Sequence, residues 1–208
     1  MKERHIPIVL PEIASVEKVI ARAPGLLADM IKAAWVSGAR QEELAGGRHA
    51  QLELESRRLT IVKGKGDKTR VIDLNPFDGF KVFERLPKGV GQAYLFWHTD
   101  GRRYRDVSIQ FHKLVKKIYE DELLKLFPDM KLEDAVAASE ATEQYPQFRR
   151  FRFHDLRHLH AVEWLRSGRS IYDLQKRLGH SSIKTTERYL AFLTSEEERI
   201  VKRGSSEK

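Results

Sequence analysis

The sequence predicts an α+β fold, mainly α-helical with a small antiparallel β-sheet. Apolar residues recur at helical spacing through most of the 208 residues. One stretch, 52–74, changes to short apolar runs on either side of a basic, glycine-rich tip. A third segment, 154–166, is apolar on nearly every side, as a helix through a core must be.

The elements follow in order. Residues 6–11 read as extended. Ile13, Val16, Val19 and Ile20 form one face of a helix over 12–22. A second helix follows Pro24 and Gly25, carried by Leu27, Met30, Ile31, Ala34 and Trp35. Gly38 suits its end, where a left-handed residue is needed. Leu52, Leu54, Leu59, Ile61, Val71, Ile72 and Leu74 read as short strands, with 63–68 as the turn of an antiparallel hairpin or small sheet. A helix is expected over 80–86 and a turn at Asp100-Gly101. A long helix is expected from Val107 to Leu126, with Phe111, Leu114, Val115 and Ile118 on one face. The stretch 128–147 is acidic and alanine-rich and reads as a mobile surface insertion with a little helix. Gly168 closes the apolar helix over 154–166. Ser170 caps the next, built on Ile171, Leu174 and Leu178, and Gly179 ends it. Ser181 or Ser182 opens a last short helix reaching Tyr189. No repeat or linker divides the chain, so residues 1–208 read as a single domain, with 190–208 as a charged tail.

Composition narrows the function. The chain is 41% hydrophobic and 33% charged, with a formal net charge of +8 and a pI near 9.6. A basic surface favours a polyanion, most simply nucleic acid, although charge alone does not decide it. With no cysteines, disulfides, thiolate metal sites and cysteine nucleophiles are excluded. No apolar run is long enough for a membrane span, and Pro7 and Pro11 interrupt any signal-peptide layout. The expectation is a soluble, cytoplasmic, nucleoid-associated protein.

Several residues stand out for chemistry. Arg40 lies three positions before Glu43, which alone describes a surface ion pair. Gly64-Lys65-Gly66 resembles a phosphate-contacting turn but lacks the P-loop pattern. His154 and Arg157 fall at i and i+3 at a helix N-terminus. There a guanidinium fork, backbone donors and the helix dipole all favour an anion. An Arg in so apolar a helix needs an anionic partner, and the helix alone leaves open whether that is a core carboxylate or an incoming phosphate. Leu178-Gly179-His180 and Tyr189 follow, each a soft signal by itself.

Taken in order, the blocks are Ser37-Gly38-Ala39-Arg40-Gln41-Glu42-Glu43-Leu44, Gly64-Lys65-Gly66-Asp67-Lys68-Thr69-Arg70, His154-Asp155-Leu156-Arg157-His158, Leu178-Gly179-His180-Ser181-Ser182 and Thr185-Thr186-Glu187-Arg188-Tyr189. This series resembles the catalytic domain of tyrosine recombinases, the phage integrase and Xer-like family. The resemblance implies a site-specific DNA recombinase that cleaves and rejoins strands through a 3′-phosphotyrosyl intermediate, without metal, ATP or other cofactor. Arg40 and Arg157 would clamp the scissile phosphate, and Lys65 would protonate the leaving 5′ oxygen. His154 would assist proton removal from Tyr189, His180 would bond the phosphate, and Tyr189 would attack phosphorus. Glu43 would fix the Arg40 helix, while Lys63, Lys68 and Arg70 would contact DNA. The implied partners are double-stranded DNA and, on it, other copies of the chain in a tetramer.

The sequence departs from the family pattern in places. The N-terminal DNA-clasping (core-binding) domain is expected to be absent from residues 1–208. Residues 45–51 lack the usual aspartate-containing strand entry, and the acidic stretch before Phe148 is longer than expected. The tail 190–208 reads either as a frayed end or as a helix docking on a neighbouring protomer.

Three rivals are weighed against this reading. A type IB topoisomerase would use the same side chains as a monomer, but the Leu178-Gly179-His180 block and the short chain favour the recombinase. A regulator that kept the fold and lost catalysis would have no use for the intact set. A metal-dependent nuclease would use His154, His158 and His160, but no carboxylate triad supports it and Arg157 lies between them.

Overall fold

The computed structural model describes residues 8, 10–62, 69–88, 93–98 and 100–206, with side chains as far as Val201. Helices α1 (Ile13–Arg22) and α2 (Gly25–Ser37) pack as a pair. α1 turns Val16 and Val19 inward, and α2 buries Leu27, Met30, Ile31 and Ala34. The chain leaves α2 through Gly38 at φ +67° and enters the short α3 (Gln41–Ala45), with Arg40 as its N-cap residue.

The sheet is an antiparallel meander of β1 (Leu52–Glu53), β2 (Arg58–Ile61) and β3 (Arg70–Asp73). Leu59 pairs with Leu52 on one side and with Ile72 on the other. Strand alternation points Arg70 and Ile72 inward and Val71 and Asp73 outward. The basic turn 63–68, with Lys63, Lys65 and Lys68, lies outside the described residues.

Helix α4 (Gly79–Glu84) starts one residue before and ends two residues before the 80–86 pattern suggested. The long α5 (Val107–Leu126) buries Phe111, Val115 and Ile118. The stretch 128–147 contains more helix than its composition suggested. α6 (Leu132–Thr142) runs against α5 with Ala135 and Ser139 buried, because small side chains at that spacing let two helices approach.

Helix α7 (Asp155–Arg166) threads the core and packs on α2. Leu156, Leu159, Val162 and Leu165 are each no more than 2% exposed. Burial of such side chains is worth about 1.5–3 kcal/mol apiece and fixes the helix in place. The same helix also buries Asp155, Arg157 and His160. α8 (Ile171–Leu178) is capped by the Ser170 hydroxyl, which accepts from the Tyr172 N–H. α9 (Ile183–Glu187) stops short of Tyr189, which lies on the turn between α9 and a 3₁₀ turn over Leu190–Phe192. α10 (Ser195–Ser206) folds back on α7 and α8 of its own chain, with Val201 1% exposed. Among the described residues, no helix is long and apolar enough to cross a membrane.

Candidate active site

The site forms where the end of α2, the start of α3, the face of α7 and the turns after α8 and α9 converge. Gly38 makes this possible. A Cβ there would stand 2.5 Å from the His160 ring, and the positive φ already disfavours other residues. The Gly38 carbonyl accepts from Arg157 Nη1 at 2.7 Å, and the Leu178 carbonyl accepts from Nη2 at 2.6 Å. Arg157 is 2% exposed, and among the described residues no carboxylate hydrogen-bonds it. Burial and the nearby Arg40 charge press its pKa down to about 9, so it remains a cation at neutral pH. Of the two partners the sequence left open, the core carboxylate is therefore not the one in contact.

Arg40 donates its backbone N–H to Glu43 Oε2 at 2.7 Å and Nη1 to Oε1 at 3.1 Å. Its side chain is 37% exposed, which leaves guanidinium surface open to a ligand. Glu43 also receives Arg70, through Nη1 at 2.7 Å and Nη2 at 2.6 Å. Burial pushes the Glu43 carboxyl up, but hydrogen bonds from Arg70 and the Arg40 backbone outweigh it and hold the pKa at about 2.

Arg70 itself does not present a DNA-contacting surface. Its side chain is 8% exposed, Nε donates to the Arg177 carbonyl at 2.8 Å, and its stem lies against Gly179. The period of two along β3 puts it on the core face, and Glu43 neutralises it there.

Two histidines flank the phenol of Tyr189, which is 3% exposed. His158 Nδ1 lies 2.9 Å from the Tyr189 hydroxyl. His180 stacks near the phenol at 6.5 Å between centroids, with the rings 17° apart. Arg157 carries only donors, so His180 Nε2 accepts from Arg157 Nη2 at 3.2 Å, and the Nδ1–H donates to Thr186 Oγ1 at 2.9 Å. Burial, then Arg157 and Arg40, lower the His180 pKa to about 4. His154 lies at the exposed lip and meets Tyr189 only through His158, whose ring it touches edge-on at 4.8 Å. The hydrogen bond to the Tyr189 hydroxyl is thus made by His158, one turn further along α7 than His154. Burial raises the Tyr189 pKa, while Arg157, Arg188 and Arg40 work to lower it.

Beside this cluster a cavity of about 590 Å³ opens, bordered by Arg40, Gln41, Ser108, His112, Arg152 and His154. His160 does not join it. Arg177 Nε donates to His160 Nε2 at 2.9 Å, so the Nδ1–H donates to the Trp35 carbonyl at 2.8 Å. With both nitrogens engaged and the ring 1% exposed, His160 cannot complete a metal site with His154 and His158. Sequence reasoning missed His158 as a partner of Tyr189, although its i+4 spacing from His154 was visible. It also missed Thr186, whose hydroxyl leaves no signature in the sequence.

A buried tyrosine held among arginines and histidines on this helical scaffold defines a class of DNA breaking-and-rejoining folds, and the comparisons place the chain within it. The model of the phage integrase family matches residues 16–196, and the chain belongs to that family. The fold is that of tyrosine recombinase catalytic domains. The integrase of transposon Tn1549, in complex with transposon right end DNA, superposes with a TM-score of 0.64 at 21% identity, over 96% of this chain and 66% of that one. XerA recombinase gives 0.65 at 22% identity, over 96% and 64%. The catalytic domain of bacteriophage HP1 integrase gives 0.57 at 23% identity, over 94% and 95%. The chain thus spans just under two thirds of the Tn1549 and XerA chains. No curated protein matches it.

Proposed function

We propose that the protein is a site-specific DNA recombinase that cuts and rejoins strands through Tyr189, forming a 3′-phosphotyrosyl link. The observation that carries this is Arg157. It is a buried cation held by two carbonyls, with no carboxylate hydrogen-bonded to it among the described residues, and it interacts electrostatically with both Arg40 and Tyr189. A phosphodiester is the anion that such a fork fits.

In this reading Arg40 and Arg157 hold the non-bridging oxygens and favour the charge that builds at phosphorus. His180 joins them on the phosphate once its Nε2 gains a proton, since that nitrogen otherwise accepts from Arg157. His154 acts at one remove, with its ring against His158. Lys65 protonates the leaving 5′ oxygen, and Lys63 and Lys68 contact the duplex. Glu43 holds Arg40 and Arg70 in register. The arginines and lysine supply the positive charge, so the reaction runs without metal. The phosphotyrosyl bond keeps the phosphodiester energy, so resealing needs no ATP. The substrate is double-stranded DNA, on which copies of the chain assemble as a tetramer.

The test is a covalent trap. The protein is mixed with nicked duplexes in EDTA, denatured and resolved, with Tyr189→Phe in parallel. A DNA-protein adduct that the variant lacks is the expected result. An adduct that survives in Tyr189→Phe, or one that appears only with added metal, overturns the reading.

A further inference from the structure

The attack of Tyr189 on phosphorus releases a phenolic proton, and the structure offers one acceptor for it. Among the described residues, the Tyr189 hydroxyl hydrogen-bonds only to His158, at 2.9 Å through Nδ1. The ring is carried on α7, one residue after Arg157 and one turn after His154. The helix is locked by Leu156, Leu159 and Val162, each no more than 2% exposed. The position of Nδ1 is therefore set by the core and not by a flexible loop.

We infer that His158 takes the proton from Tyr189 during strand cleavage and returns it during rejoining, with His154 as the ring that backs it. The inference rests on Tyr189 being the nucleophile. In cleavage the phenol O–H bond breaks as the O–P bond forms, and the proton passes to His158 Nδ1. The P–O5′ bond breaks, and the 5′ oxygen takes its proton from a separate acid, Lys65 in the reading above. In rejoining the 5′ hydroxyl attacks phosphorus and returns its proton to that separate acid, the P–O bond to Tyr189 breaks, and the Tyr189 oxygen recovers its proton from Nδ1.

The surroundings make this transfer conditional on DNA. His158 is half-buried and faces the rings of His154, His180 and Tyr189, the carboxylate of Asp155 and the guanidinium groups of Arg152 and Arg157. Burial and then the neighbouring His154 charge lower its pKa to about 4, with Arg152 and Arg157 adding to the effect and Asp155 opposing it. The Asp155 carboxylate is itself held by Arg152 at 2.8 Å. The ring is thus neutral at pH 7 and free to accept, but it is a weak base for a phenol. An anionic phosphate seated against Arg157 offsets one of the charges that hold the pKa down. Proton affinity at Nδ1 then rises where and when the nucleophile is needed. The free protein keeps its tyrosine protonated.

The experiment compares initial rates of adduct formation on nicked duplexes from pH 6 to 10 for wild type, His158→Asn and His154→Asn. DNA affinity is measured alongside as a check on folding. Asn at 158 keeps an acceptor oxygen near the Nδ1 position but cannot hold a proton. The expected result is a loss on the order of 10²-fold or more near pH 7, with a rate that keeps rising toward pH 10 where the wild type has levelled off. His154→Asn is expected to lose less than about tenfold, with a profile shaped like the wild type. A His158→Asn enzyme with the wild-type rate and profile overturns the inference, as does the full loss appearing in His154→Asn instead. No adduct from the wild type overturns the Tyr189 reading and this inference with it. If His158→Asn does not fold, the ¹⁵N signal of His158 Nδ1 decides. It must shift on Tyr189→Phe, and an unmoved signal overturns the proposed contact.

Discussion

Arg70 and Glu43 meet end-on through two hydrogen bonds of 2.7 and 2.6 Å, and this pair ties strand β3 to helix α3. Both side chains are at most 10% exposed. Removing one partner strands the other, so Glu43→Ala should cost about 3–5 kcal/mol in urea unfolding. Arg70→Met in the same background should recover part of that loss, because an apolar side chain needs no carboxylate. A loss below about 1 kcal/mol for Glu43→Ala would show that the pair does not hold the two elements together.

The second prediction concerns Arg157. Lysine keeps the charge but cannot span the Gly38 and Leu178 carbonyls and a phosphate together. Arg157→Lys should therefore reduce adduct formation by about 10²–10³-fold. DNA affinity should stay within about tenfold, since most of it comes from distributed phosphate contacts. Binding titrations alongside the covalent assay check both halves. A variant that cleaves at the wild-type rate removes the clamp.

Much of the fold was legible because it rests on periodicity. The faces of α1, α2 and α5 follow from Val16, Met30 and Phe111, whose spacing repeats over two or more turns. The helix over 154–166 was legible for the opposite reason, since it lacks a polar face. The site was legible as an ordered set of residue types, and Arg40, Arg157, His180 and Tyr189 do converge. What failed was direction. Whether Arg70 points out or in depends on a phase one residue wide, which the sheet fixes through Ile72 and Leu74. Which histidine meets Tyr189 depends on where α9 stops, and the hydrogen bond of Thr186 to His180 beside that end has no periodicity to announce it. α6 was underestimated because acidic composition was weighed above the spacing of its alanines.

Gly38 carries the third prediction. At φ +67° a side chain is strained by about 1–2 kcal/mol, and its Cβ would stand 2.5 Å from His160 Cδ2. His160 cannot yield easily, being fixed by Arg177 and the Trp35 carbonyl. Gly38→Ala should lose about 2–4 kcal/mol, combining the backbone strain with core overpacking. It should also weaken cleavage, because the carbonyl that steadies Arg157 moves with it. Thermal melts and the covalent assay read the two effects separately. A fully stable Gly38→Ala protein would contradict the close approach of α2 to α7.

The last prediction is the acid response. His158 and His180 have pKa values near 4 in the folded chain, and that of fully buried His160 lies well below its ordinary value. In the unfolded chain these rings titrate near 6.5. As pH falls below 6.5 the unfolded chain binds protons first, so stability is full above that point and is lost from there down to about pH 4. Glu43 adds a second phase. Its carboxyl lies at about 2 when folded against an ordinary 4.5, so its contribution is present above 4.5 and is lost as pH falls toward 2. Each extra proton bound on unfolding is worth about 1.4 kcal/mol per pH unit. Urea unfolding at pH 7.5, 6.5, 5.5 and 4.5 should therefore show stability falling with a slope of at least about one proton, and His158→Asn should make that slope shallower. A flat stability from pH 7.5 to 5 would mean that these histidines bind protons in the folded chain as readily as in the unfolded one. The buried, neutral cluster around Tyr189 would then not exist in solution.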